Sequence, residues 1–120
     1  MKLTTTRSYR QLLWALALAA TLIACGRAKA AGKQTLTGEV SDAACGALHT
    51  MMPGPAAECA RACVKNGAKY TLIVADKTYV LNTTDRGILS LLDRQAGSNV
   101  TVSGNVNGVA IQVETAVAAP

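Results

Sequence analysis

Apolar and polar residues alternate in short runs from residue 33 onward. In "KQTLTGEVSD", residues 33–42, Leu36, Gly38 and Val40 alternate with Thr35, Thr37 and Glu39, the two-residue period of a half-buried strand. "KYTLIVADKTYVLN" carries two apolar runs either side of Asp76-Lys77 and predicts a hairpin. "TTDRGILSLLDRQAG" has a Thr or Asp N-cap, apolar Ile88, Leu91 and Leu92 at helical spacing, and Gly97 as a stop. In "SNVTVSGNVNGVAIQVETAV", Val100, Val102 and Val106 face one way. Asn107-Gly108 supplies a tight turn, and Val109, Ile111 and Val113 return along the same face. The closing "AVAAP" reads as a frayed tail.

Between the first strand and the hairpin the β pattern is interrupted. "PGPAAECARACVKNGAK" predicts a helix, with Pro55 where a first helical residue is tolerated, an Ala-rich interior and Gly67 as a left-handed stop. Arg61 and Lys65 fall on faces expected to be solvated. The chain is thus mainly β with two short helices, in the order of a five-stranded OB-fold-like small barrel with a Cys-rich helical insert, residues 43–68, after the first strand. A barrel spanning residues 34–117 would use nearly everything beyond the N-terminal segment.

That segment has a different character. Lys2, Arg7 and Arg10 precede Leu12–Ala24, an uncharged apolar run of thirteen residues. The run is shorter than the roughly 20 residues of a membrane-spanning helix but suits an export signal. It ends in "LIAC" and Gly26, which resembles the lipobox of bacterial lipoproteins. The expectation is a signal peptide at 1–24, a lipidated Cys25 and a tether at 25–33, giving a lipoprotein anchored to the membrane and facing the periplasm. "AKA", residues 28–30, offers ordinary secretion as the alternative.

Export changes how the charge is read. The 12 basic and 7 acidic residues give +5. Cleavage before Cys25 removes three basic residues and leaves +2, and cleavage after Ala30 removes two more and leaves zero. The excess is a targeting charge. The processed chain also lacks Phe and Trp and keeps only Tyr70 and Tyr79. An OB-like barrel that binds single strands needs a basic groove and aromatic stacking platforms, so nucleic acid is not an expected partner.

The candidate chemistry lies in the insert. Cys45 and His49 are four apart, Cys59 and Cys63 are four apart, and nine residues separate the pairs. Cys59 and Cys63 share a helical face, and Cys59 lies near the helix start, where the dipole favours a thiolate. Cys45, His49, Cys59 and Cys63 form a possible soft-metal set, for zinc as a tetrahedral thiolate–imidazole site or for copper(I), which neighbouring Met51 and Met52 would favour. The alternative is a disulfide between Cys45 and Cys59 or Cys63, closing a loop of about 15–20 residues worth about 3 kcal/mol. Either bridge would leave one thiol over, most simply as a small buried hydrophobe.

"GEVSDAACGALH", "CARACVKNGAKYTLIV" and "VTVSGNVNG" together resemble a family of small exported proteins of environmental bacteria, notably acidobacteria. The resemblance covers residues 35–115 and implies an exported OB-like domain with a Cys…His…Cys-x3-Cys insert; it implies no activity. Catalysis is not expected. Ser41-Asp42 reads as a solvated strand end, and no Cys-x-x-Cys sits on a thioredoxin-like unit. The sequence therefore points to an envelope binding module, for copper or zinc, or to a disulfide-stabilised interaction and scaffold protein with an unidentified protein partner.

Overall fold

Five strands and two helices follow in the expected order in a computed structural model, which describes residues 31–46 and 54–120. Strand β1 is Gly32–Asp42, helix α1 Ala56–Lys65, β2 Tyr70–Val74, β3 Lys77–Asn82, helix α2 Arg86–Arg94, β4 Asn99–Asn107 and β5 Ala110–Ala118. The strands close into a barrel in the order β1-β2-β3-β5-β4, with β3 and β5 parallel and every other pair antiparallel. This is the OB-like barrel, and no described helix is long and apolar enough to cross a membrane.

One strand closes the barrel. β1 pairs with β4 over Gly32–Glu39 and with β2 over Glu39–Asp42. Gly38 lies at this change of partner, and a Cβ there would fall directly on the Ile73 carbonyl oxygen and 2.8 Å from its carbon. Only glycine lets the two backbones come so close. Beyond it, Val40 donates its N–H to the Ser98 carbonyl at 3.0 Å and accepts from Gly97 N–H at 2.8 Å.

The inward positions make one core of Val40, Tyr70, Leu72, Tyr79, Leu81, Leu92, Val100, Val102, Val106, Ile111 and Val113, with Leu36 and Ile88 packed against it. Helix α2 contributes Leu92, and Asp85 is its N-cap, its carboxylate accepting from Ile88 N–H at 3.0 Å.

Five local expectations are corrected. Val109 does not return into the core. It sits at the tip of the β4–β5 turn and is 69% exposed, because Asn107 is already paired with Ala110. The earlier hairpin turns at Ala75-Asp76, with Ala75 at φ 54° and Lys77 already paired with Val74. Helix α2 ends at Arg94, short of Gly97, whose N–H is needed on Val40. The tail is not frayed: β5 runs to Ala118, and Ala119 N–H bonds the Asn99 carbonyl at 3.0 Å. Arg61 is only partly solvated, since its Nε donates to the Asp93 carbonyl at the end of α2 at 2.8 Å.

Candidate metal centre

The site is built by the end of β1, the turn after it and one face of α1. Gly38 and Val40 face the core, so strand alternation turns Asp42 inward as well. Ser41 and Asp42 are both fully buried, which overturns the solvated strand end. One Asp42 oxygen, Oδ1, accepts from the N–H groups of Ala44 and Cys45, both at 2.8 Å. This is the local turn that aspartate favours. Gly46 N–H returns to the Asp42 carbonyl at 2.9 Å, and Ser41 Oγ donates to the Gly46 carbonyl at 2.7 Å. The turn is thereby closed and sets Cys45 over the helix.

Helix α1 carries the other two sulfurs. Pro55 precedes its first residue, and its C-terminus is closed by Gly67 N–H to Val64 O at 3.0 Å and Ala68 N–H to Cys63 O at 3.0 Å. Gly67 adopts φ 101°, which this reversal requires. The chain then re-enters the barrel as β2. There Ala43 N–H bonds the Lys69 carbonyl at 2.9 Å, so the two ends of the insert are fastened together.

These elements converge four side chains. Cys45 Sγ lies 3.5 Å from Cys59 Sγ and 3.7 Å from Cys63 Sγ. With a carboxylate oxygen of Asp42, one ligand atom from each residue lies within 4.8 Å of all the others. Such a Cys3Asp group could hold a metal ion. The fit can be checked from bond lengths: thiolates about 2.3 Å from a tetrahedral zinc stand about 3.8 Å apart. The two cysteine separations are close to that value and far above the roughly 2.05 Å of a disulfide, and all three cysteines are free thiols.

The second Asp42 oxygen, Oδ2, supplies an independent sign. It is buried and no donor reaches it in hydrogen-bonding geometry, although the Cys63 thiol lies close enough to interact with the carboxylate. A buried oxygen left so costs about 1–3 kcal/mol unless something compensates it.

Without a metal the two helical thiols, Cys59 and Cys63, hold their protons. Hydrogen bonding with Cys45, then burial, push the Cys59 thiol up. Burial, the bond with Cys45 and the nearby Asp42 charge push Cys63 up to about 12. The expectation of a thiolate at Cys59 from the helix dipole is thus overturned. The sulfur is buried beside another thiol and close to a carboxylate, and these outweigh a partial charge at the helix end.

Of the residues singled out from sequence, Cys45, Cys59 and Cys63 meet. His49, Met51, Met52 and Cys25 lie outside the described residues. Asp42 was missed as a ligand, although the strand period that places Val40 inward places it inward too. The chain matches no protein family, no curated protein and no solved structure.

Proposed function

We propose that this is an exported, lipid-anchored envelope protein whose OB-like barrel displays a zinc-binding module made of Asp42, Cys45, Cys59 and Cys63. The observation that carries the reading is the buried Asp42 carboxylate, one oxygen of which lacks a hydrogen-bond partner, beside three thiols, with one ligand atom of each residue within 4.8 Å of the others. Zinc accepts both thiolate and carboxylate, whereas copper(I) prefers sulfur alone, so the carboxylate favours zinc. Cys45 and Cys63 are only half-buried, which leaves the ion reachable from solvent and suits a site that takes up and yields its metal. The anchor and the compartment rest on the "LIAC" motif and the basic and apolar segment before it.

A disulfide-stabilised scaffold without metal is the second reading, favoured by the same proximity of Cys45 to both helical thiols. Native mass spectrometry of the reduced full-length protein, offered zinc and copper(I) in turn, separates the two. The metal module retains one zinc per chain against a weak chelator, and Cys63→Ser loses it. The scaffold retains no ion and, isolated without reductant, shows a single free thiol among Cys45, Cys59 and Cys63.

A further inference from the structure

The three thiols are not equivalent. Cys59 and Cys63 are one helical turn apart, which holds their Cβ atoms about 5–6 Å apart. A disulfide spans only about 3.5–4.5 Å between Cβ atoms, so the helix keeps this pair from bridging. Cys45 comes from the turn after β1 and faces both, at 3.5 and 3.7 Å. Cys59 is 2% exposed, while Cys45 and Cys63 are open enough to meet a small oxidant. A site with one shared sulfur and two alternative partners can exchange its ligand bonds for a sulfur–sulfur bond without unfolding the helix.

Resting on the zinc reading above, we propose that the cluster is a peroxide-responsive zinc-release site in which Cys45 belongs to every bridge that forms. The metal-bound Cys45 thiolate attacks one oxygen of hydrogen peroxide. The O–O bond breaks, hydroxide leaves, and the sulfur, oxidised by two electrons, becomes a sulfenic acid. The thiolate of Cys59 or Cys63 attacks that sulfur, the S–O bond breaks, a second hydroxide leaves, and the disulfide forms. One peroxide is reduced to two hydroxide ions, and two thiolates become one disulfide. Zinc is left with one thiolate and Asp42 and dissociates.

The test uses the zinc-loaded full-length protein, titrated with hydrogen peroxide beside a chromogenic zinc chelator. One zinc should appear per peroxide consumed, peptide mapping should place Cys45 in the bridge, and a phosphine reductant should restore zinc uptake. Cys59→Ser and Cys63→Ser should each form the remaining Cys45 bridge, and Cys45→Ser should form none within the insert. Zinc retained after peroxide, a bridge between Cys59 and Cys63, or thiols driven to sulfinic acid overturns the proposal and leaves zinc binding intact. Reduced protein that takes up no zinc overturns both, and a mapped Cys45 bridge would then mark a plain staple.

Discussion

Asp42→Asn separates a ligand from a structural acceptor, because the two roles predict opposite signs. The amide is nearly isosteric, and its carbonyl can still accept from Ala44 and Cys45 N–H, so the turn that positions Cys45 is kept. Its NH2 group replaces an oxygen that no donor reaches in hydrogen-bonding geometry. Exchanging a buried charged oxygen for a neutral NH2, which can donate to the neighbouring thiol sulfurs, should stabilise the metal-free protein by about 1–2 kcal/mol, the lower part of the usual cost. For a domain of this size the melting temperature should rise by about 4–8 °C per kcal/mol. The metal-bound protein should respond the other way. Structural zinc sites gain about 10–16 kcal/mol from four ligands, hence about 2.5–4 kcal/mol each. Losing one anionic ligand should weaken zinc by about two to three decades. Thermal unfolding in reductant and chelator measures the first effect, and competition against a chelator of known affinity measures the second. A variant less stable than the parent without metal, or one that binds zinc equally well, would refute the assignment of Asp42.

Two further outcomes are expected. Gly38→Ala should cost about 3 kcal/mol or more, because the new methyl group collides with the Ile73 backbone, which is held in the barrel and cannot yield as a side chain would. Denaturant unfolding measures it, and a loss below about 1 kcal/mol would contradict the close approach at the strand crossover. Zinc uptake at neutral pH should release protons, since Cys63 is held up to about 12 and Cys59 is raised as well. Affinity should therefore strengthen as pH rises from 6 to 9. In the reduced, metal-free protein the same raised thiols favour the folded state below pH 9, and that contribution should fade as pH climbs from 9 towards 12. A pH-stat titration and alkaline unfolding curves measure these two effects.

Much of the barrel was legible because its strands alternate cleanly. Leu36, Val40, Val100, Val102, Val106, Ile111 and Val113 keep the parity that strand spacing assigns them, and Leu92 holds the inward face of a capped helix. Turns were legible in kind but displaced by a residue. Asn-Gly announces a reversal, yet cross-strand pairing decides which residues span it, and Asn107 was claimed by β4. The site was legible as a set of sulfurs, because Cys59 and Cys63 must share a helical face. Asp42 was obscured by its sequence neighbourhood. An acidic residue before a loop usually meets water, and its burial follows only once β2 is known to cover the last four residues of β1. Arg61 was misjudged for a similar reason, since its partner Asp93 lies 32 residues away on another helix.

A ring of strands in which β1 meets both β2 and β4 leaves no strand wholly at an edge, although β1 before Glu39 and β5 after Gln112 are each paired on one side only. A companion strand among the described residues would find only these short one-sided stretches, not the full edge that open-edged domains offer to extended peptides. A partner of this domain is then gripped mainly through side chains, loops or a shared ion, and the same closure guards its many valines against fibrous stacking.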